Sequence, residues 1–410
     1  MSSTAAPSPL ATWRTPIVVL IAGCLIAMIG FGVRSGFGLF LEPMTVAQGW
    51  TRETFALAMA IQNLLWGLGL PFAGALADRF GPSWVIAAGA VLYCLGVWGM
   101  AVVDSSLGLH LTGGILTGLG VAFTAFSLAL AAMARVVGPE KRSLALGLGT
   151  AAGSFGQVVF SPLSQGFIST FGWSTTLMLL AASTLVLIPL AMILSNDVDT
   201  PGSARGDQKM VDALREAMVH RGYVLLTIGF FVCGFQIAFM TVHFPAYVKD
   251  IGFDPRVGAY SIALVGLFNI VGSFLSGMAG QRWSKKYSLS FIYFARSVII
   301  LGLLLLPKTE LMIYLFASLM GVLWLSTVPL TTGIVAQVFG VRYMATLFGV
   351  VFLSHQLGSF VGVWLGGRLF DQTGSYDGMW WAAIVIGVLA AIIHLPINEK
   401  PLPRLAVQTA

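Results

Sequence analysis

Charged residues are scarce in this sequence. They make up 9% of its 410 residues, whereas soluble domains average about 25%. The 16 acidic residues avoid the middle of every long apolar run. The three cysteines, Cys24, Cys94 and Cys233, lie inside such runs at spacings that suit neither a metal site nor a disulfide framework, and we interpret them as small buried apolar residues. This composition excludes a disordered protein, a nucleic-acid binder and a disulfide scaffold.

Patterns that carry catalysis are missing as well. The sequence has no nucleophile–base constellation, no metal-ligand cluster and no phosphate-binding loop. We therefore expect neither an enzyme nor a bound cofactor or metal. Any work that the protein performs must draw its energy from gradients rather than from ATP.

Apolar residues are abundant instead. They form 57% of the chain, with a mean hydropathy of +0.89. A helix needs about 20 apolar residues to cross a bilayer, and continuous runs of that length exclude an outer-membrane barrel, whose strands alternate. Such runs occupy residues 15–43, 54–77, 84–103, 108–134, 143–170, 174–195, 222–247, 257–280, 287–306, 309–338, 344–369 and 378–397. We predict an all-α membrane protein with twelve transmembrane helices.

Basic residues are distributed asymmetrically along this pattern. With both termini inside, 15 of the 22 Lys and Arg residues fall on the cytoplasmic side and five outside. Because cytoplasmic loops of membrane proteins carry the excess of Lys and Arg, we predict that both termini are cytoplasmic. This placement also explains the net charge of +6 without a nucleic-acid partner.

The longest polar stretch divides the chain into two units. Residues 196–221 form a cytoplasmic linker between six helices in 1–195 and six helices in 222–410, which end in a short cytoplasmic tail. The units resemble each other at an offset near 203, because Gly49 after the first run matches Gly252 after the seventh. Six-helix repeats are typical of transporters whose site lies between the halves, near the membrane midplane.

One segment of eight residues within this pattern resembles a known sequence motif. GALADRFG at 74–81, placed between the second and third runs, resembles the loop 2–3 signature of the major facilitator superfamily. The resemblance covers nearly the whole chain and implies a fold of two pseudo-symmetric six-helix bundles, alternating access and a monomer. It also implies that Gly74, Asp78, Arg79 and Gly81 act in gating, with Asp78 at the N-terminus of the eleventh helix, where a carboxylate is stabilised.

A narrower resemblance rests on the first two helices. Arg34-Ser-Gly-Phe-Gly-Leu-Phe and the later Gly49-Trp-Thr-Arg52 resemble bacterial members of the monocarboxylate porter group. Members of that group often carry a basic residue at the position of Arg34, which implies an anionic substrate. The group's arginine and acid of the eighth helix are replaced here by Ser273 and Asn269.

Two arginines lie within the runs. An arginine in a bilayer costs about 2.5 kcal/mol or more and faces a partner or a wet cavity. Arg34 is on the first helix, which lines the central cavity in the superfamily, so we expect it to bind the carboxylate of a substrate. Arg296 is on the ninth helix, which usually lies outside the cavity. It either contacts substrate or bonds to carbonyls and hydroxyls of neighbouring helices.

Further polar and aromatic residues within the runs are candidates for the substrate site. Each is either a ligand or an interhelical hydrogen-bonding residue. Together they predict a mixed polar and aromatic cavity. With no acid in the spans, His243 and His355 are the candidate proton carriers. The candidates are Asn63, Gln236, His243, Asn269, Trp324, His355 and Gln356.

Small residues recur at intervals of four in two helices. Gly149 and Gly153 lie in the fifth run, and Gly358, Gly362 and Gly366 lie in the eleventh. These stripes are either sliding contacts between the halves during alternating access or ordinary static packing.

The function predicted is secondary active transport of a small organic anion, with a monocarboxylate as the narrower expectation. It would run by proton symport or anion exchange across a bacterial inner membrane. Two alternatives stay open: an efflux transporter for amphiphilic drugs or metabolites, and a non-transporting membrane sensor.

Overall fold

A computed structural model describes residues 15–137, 142–194, 209–340 and 343–403. Within these ranges the chain is built from long helices, and the bounds of the twelve principal ones follow. They are α1 Pro16–Gln48, α2 Arg52–Phe80, α3 Pro82–Val102, α4 106–136, α5 Arg142–Phe171, α6 Trp173–Ile193, α7 Arg221–Asp250, α8 Pro255–Arg282, α9 Lys285–Leu305, α10 Glu310–Phe339, α11 Met344–Thr373 and α12 Asp377–His394.

These helices match the predicted spans. In the described part of the chain, eleven are long and apolar enough to cross a membrane, and α5, with 30 residues, occupies the remaining fifth position. The predicted all-α membrane fold is therefore confirmed. Most of the linker 196–221 lies outside the described residues; its last part forms a short helix, Met210–Val219.

The turns between helices repeat in the two halves. Gly49 ends α1 at φ 66°, and Gly252 follows α7 at φ 94°. Gly172 before α6 and Gly374 before α12 also have positive φ, at 80° and 70°. Only glycine adopts these angles readily, so the shared spacing of these turns reflects the internal repeat.

Each set of six helices has its own apolar core. One cluster consists almost entirely of residues from α1–α6, and the other consists of residues from α7–α12 and the short helix before them. A few small side chains of α7, α8 and α11 join the first cluster, among them Ala238, Ala246 and Val363. The chain therefore folds as two six-helix bundles that meet along a limited seam.

The seam is formed by three helix pairs, α1–α7, α2–α11 and α5–α8. Glycines allow the close approach. A Cβ atom on Gly38 of α1 would overlap the backbone oxygen of Thr241 on α7. A Cβ atom would also overlap Gln356 if added to Gly67, Ser154 if added to Gly266, and the backbone of Arg52 if added to Gly367. We call Gly38, Gly67, Gly266 and Gly367 the seam glycines.

The glycine stripes predicted from sequence lie elsewhere. Gly358 and Gly362 pack against backbone oxygens of Phe231 and Phe235 on α7, in the same bundle. Gly149 packs against Leu130 of α4, also in its own bundle. The interpretation of these stripes as sliding contacts between the halves is therefore wrong. They are static packing contacts.

Several principal helices are interrupted, among them α4 at Thr124–Ala125 and α6 at Val186, and two of the breaks bear on the candidate site. In α1 the α-helix gives way at Gly36 to a 3-10 turn, Phe37–Phe40. In α10 the helix stops at Leu323 and restarts at Thr327. Such breaks free backbone carbonyl and amide groups, which must find partners inside the protein.

Candidate substrate site

Arg34 lies on the last turn of α1 before its interruption. Its Nη2 donates to Oδ1 of Asn63 on α2 at 2.5 Å, and its guanidinium lies 4.4 Å from the centre of the Trp66 ring. Its buried Nε has no hydrogen-bond partner among the described residues. Among the described residues the guanidinium therefore contacts only neutral groups, and its buried Nε–H donor is unused.

A chain of hydrogen bonds extends from Arg34 into the second bundle. The backbone oxygen of Asn63 accepts from Nε2 of Gln356 on α11 at 2.8 Å. The Oε1 atom of Gln356 lies 2.9 Å from Nδ1 of His355, whose ring stacks on Phe352. The structure therefore brings four of the candidates together, Arg34, Asn63, His355 and Gln356.

A small cavity adjoins this chain. It lies where α1 and α2 of the first bundle meet α7 of the second. Arg34 is the charged residue in its lining. The lining residues are Arg34, Phe37, Met59, Gln62, Asn63, Ala238, Thr241 and Val242.

Arg296 lies in a separate place, inside the second bundle. It is fully buried, and its Nη2 donates to the backbone oxygens of Leu323 and Trp324, each at 2.6 Å. These are carbonyls that the interruption of α10 leaves free. The guanidinium therefore caps the C-terminal end of a half-helix, where the helix dipole favours a cation.

Gln236 and Cys233 on α7 complete the surroundings of Arg296. Oε1 of Gln236 accepts from Nη1 of Arg296 at 3.4 Å, and Nε2 of Gln236 donates to the backbone of Ala383. The Cys233 sulfur lies 3.5 Å from the same Nη1 and 3.3 Å from Oγ1 of Thr327. The interpretation of Cys233 as a purely apolar residue is therefore wrong.

Replacing Arg296 by alanine should destabilise the protein strongly. It would leave the carbonyls of Leu323 and Trp324 buried without donors, at a cost of about 1–3 kcal/mol for each unsatisfied group. We expect a clear fall in the thermal unfolding midpoint of the purified protein in detergent. Arg282→Ala, at an exposed position at the end of α8, should leave the midpoint unchanged. An Arg296→Ala protein as stable as the parent would contradict this assignment.

Asn269 on α8 joins the two bundles at another point. Its Nδ2 donates to Oγ of Ser154 on α5 at 2.9 Å. Its Oδ1 accepts from the backbone N–H of Leu325 at 3.0 Å, inside the interruption of α10, and from Ser273. Asn269 is fully buried and its polar atoms are engaged by protein groups.

His243 is not brought to Arg34. It is fully buried near the end of α7, with Nε2 2.8 Å from the backbone oxygen of Val363 and Nδ1 3.0 Å from the Tyr376 hydroxyl. His243 follows Gln236 by seven residues, so the two lie on one face of the helix. Because α7 is enclosed by protein along most of its length, a shared face does not mean a shared cavity.

The end of the bundles that carries His243 is closed by charged contacts. Arg52 on α2 donates to both carboxylate oxygens of Asp250 on α7, at 2.6 and 2.7 Å, and to the Tyr376 hydroxyl at 3.0 Å. Asp371 on α11 accepts from the backbone N–H groups of Arg52 and Glu53, at the N-terminus of α2. We call Arg52, Asp250, Asp371 and Tyr376 the latch.

The position of Arg52 in the sequence was a signal for the latch, although Arg52 was not among the predicted site residues. Arg52 ends the Gly49-Trp-Thr-Arg52 segment and stands at the start of α2. A second ion pair, Lys249 with Glu42 at 2.6 Å, lies nearby on the exposed surface. Which acid pairs with Arg52 depends on how the bundles dock, and local sequence does not specify that.

Comparison with known proteins decides the family. The family model of the Major Facilitator Superfamily matches residues 23–363. The chain belongs to this superfamily.

Several superfamily members are similar over most of their length. Monocarboxylate transporter 13 of Bos taurus is 26% identical, with 94% of this chain and 91% of that protein covered. A Bacillus subtilis protein described as an uncharacterized MFS-type transporter, YcxA, is 25% identical over 90% of this chain and 91% of its own. Both proteins are described as transporters. This superfamily member is likewise a transporter and not an enzyme.

Solved structures of the superfamily share the fold. A bacterial homologue of the human lysosomal transporter Spinster, in an inward-facing and occupied conformation, matches with a TM-score of 0.73 at 13% identity, covering 94% of this chain and 98% of that one. A D-xylose–proton symporter matches with a TM-score of 0.70 at 15% identity, covering 95% and 99%.

The residues of the superfamily octet lie at the end of α2 opposite the latch. Gly81 ends α2 at φ 86°, which favours glycine, and Arg79 is exposed with its guanidinium 5.1 Å from the Phe80 ring. The side chain of Asp78 lies outside the described residues. A Cβ on Gly74 would meet no described atom within 4 Å, so close packing does not explain this glycine in the present conformation.

Proposed function

We propose that this superfamily member is a secondary active transporter of a small organic anion, and more narrowly of a monocarboxylate. The observation that carries the proposal is Arg34, a guanidinium at the seam that has only neutral partners and an unbonded Nε among the described residues. An uncompensated positive charge at membrane depth is stabilised by an anion that enters the cavity. The relatives described as monocarboxylate transporters support this substrate class.

The hydrogen bonds of Arg34 suggest how binding is communicated. A substrate carboxylate can take the planar donor pair of the guanidinium more strongly than the neutral Asn63 oxygen does. Arg34 would then leave Asn63, whose backbone oxygen accepts from Gln356 of the other bundle. Substrate binding thus bears directly on a contact between the two bundles, as alternating access requires.

The remaining parts of the proposal concern placement and coupling. We place the protein in a bacterial inner membrane as a monomer. The distribution of its basic residues supports cytoplasmic termini. The moving bodies are residues 1–195 and 222–410, joined by the linker 196–221. Transport runs by proton symport or anion exchange, since gradients are its source of energy.

Ligand-induced stabilisation of the purified protein tests the substrate class. A ligand that binds only the folded state raises the unfolding midpoint, so a panel of mono- and dicarboxylates, neutral metabolites and cationic amphiphiles is compared. We expect stabilisation by one class of monocarboxylate. In Arg34→Gln its Kd should rise about 10- to 100-fold, the value of a charged hydrogen bond of about 1.5–3 kcal/mol.

Arg256→Gln is the matched control for that experiment. Arg256 is exposed at the start of α8, so this variant should bind the carboxylate as the parent does. Uptake of the same compound into proteoliposomes then measures transport. Stabilisation by cationic or neutral amphiphiles alone, unchanged in Arg34→Gln, would overturn the proposal and favour efflux.

A further inference from the structure

The latch continues inward to a buried histidine. Arg52 donates to the Tyr376 hydroxyl at 3.0 Å, and that hydroxyl lies 3.0 Å from Nδ1 of His243. The other ring nitrogen, Nε2, lies 2.8 Å from the backbone oxygen of Val363. One continuous hydrogen-bond chain therefore connects the Arg52–Asp250 ion pair to the interior of the second bundle.

The direction of each hydrogen bond in this chain is fixed. The carbonyl of Val363 can only accept, so Nε2 of His243 carries a hydrogen. Arg52 can only donate, so the Tyr376 oxygen accepts from Arg52, and the Tyr376 hydrogen points to Nδ1. Burial raises the pKa of Tyr376 well above its usual range, which keeps this hydrogen in place. The intact chain thus requires a neutral His243 with a free lone pair on Nδ1.

A proton on Nδ1 is incompatible with this arrangement. Arg52 and His243 would both donate to the Tyr376 oxygen, and the Tyr376 hydrogen would lose its acceptor. The imidazolium would also add a second positive charge on the inner side of Tyr376, facing Arg52.

The nearby acids Asp250 and Asp371 have other partners, and neither contacts the imidazole, whose hydrogen-bond partners are Tyr376 and Val363. Asp250 on α7 is bound by both terminal nitrogens of Arg52. Asp371 on α11 accepts from two backbone N–H groups of α2. Tyr247, on α7 one turn beyond His243, is the other titratable group whose ring faces Tyr376.

We propose that His243 is a proton-binding site that controls the latch. Protonation of its Nδ1 breaks the Arg52–Tyr376–His243 chain and opens this end of the bundles, and deprotonation allows it to close. The inference deepens the proposed transport function, since it assigns a proton to the step that admits substrate from the latch end. It does not depend on which substrate is carried.

Distance measurements in the absence of substrate test this. Spin labels are placed at Ser105 and Lys308, exposed positions of the two bundles at the latch end, in a background with the three native cysteines replaced by alanine. A histidine in water titrates near pH 6.5, so lowering the pH from about 7.5 to about 5.5 should raise the ratio of long to short distances about tenfold.

Variants of the chain make the test specific. His243→Gln can still donate to Val363 and accept from Tyr376 without a charge, and it should stay closed at both pH values. Tyr376→Phe removes the link and should abolish the pH response with the latch opened at both values. His110→Gln, which changes another histidine at the latch end, should respond as the parent does. A pH response that persists in His243→Gln, or its absence in the parent, would overturn the inference.

The outcome is separable from that of the ligand experiment. A protein that binds a carboxylate through Arg34 but shows no pH-dependent distance change would refute the role of His243 alone. A protein with the pH-dependent change and no carboxylate binding would refute the proposed substrate class alone.

Discussion

Gly38→Ala is expected to abolish transport while leaving the protein folded. The added Cβ would overlap the backbone oxygen of Thr241 and lie 2.8 Å from that of Val242. Both atoms belong to the main chain of α7, so no change of side-chain rotamer relieves the overlap. Overpacking of this kind costs about 1–3 kcal/mol or more, which is a shift of about 5- to 150-fold or more away from the state closed at the latch.

The alanine variant is measured by uptake and by the distance between labels at Ser105 and Lys308. We expect loss of uptake together with a long distance, because the bundles can no longer close at this end. Gly166→Ala on α5 is the control, since a Cβ there meets no described atom within 4 Å. Normal uptake by the Gly38→Ala protein would show that α1 and α7 do not need this close approach.

Reversing one charge of the latch should have a similarly large effect. Asp250→Arg removes the two-pronged ion pair with Arg52 and sets two guanidinium groups against each other. Arg52 is well covered, with 12% of its side chain exposed against 30% for Asp250. Losing a partly buried, charged hydrogen-bonded pair costs about 2–5 kcal/mol. The latch end should therefore open at least about 30-fold more readily.

A neighbouring ion pair provides the comparison. Lys249 and Glu42 join the same two bundles, but 44% of the Lys249 side chain is exposed. Exposed pairs contribute about 0–1 kcal/mol, so Glu42→Gln should leave the distance distribution nearly unchanged. Combining Asp250→Arg with Arg52→Asp should restore part of the closed population. Equal effects of Glu42→Gln and Asp250→Arg would contradict the assignment of the latch.

The fold was predictable because the membrane imposes it. Apolar runs, basic loops and the repeated turn at Gly49 and Gly252 are local signals, and each follows from the bilayer or from backbone geometry. The pairing of Arg34 with Asn63 joins two residues that were both candidates. The contact of Gln356 with the backbone of Asn63 was not predictable, since it depends on the register of α11 against α2.

The predictions that proved wrong concern contacts between helices. A repeat of small residues such as Gly358 and Gly362 indicates that another helix packs closely there, but it does not identify that helix. The seam glycine Gly38 stands outside any such repeat, so its importance appears only once α7 is placed beside it. His243 was a candidate for the substrate cavity because it is a polar residue within a span, but an enclosed helix such as α7 has protein neighbours on nearly every side.

The position of Arg296 has a consequence for how the protein is made. Its carbonyl partners belong to Leu323 and Trp324, which follow it by 27 and 28 residues in the chain. When α9 leaves the ribosome, those partners do not yet exist, and an arginine at the centre of a lone helix disfavours insertion by about 2.5–3.5 kcal/mol. Gln236 and Cys233 of α7 are already present at that stage, but the two shortest hydrogen bonds of Arg296 form only with α10, which favours insertion of α9 and α10 as a pair.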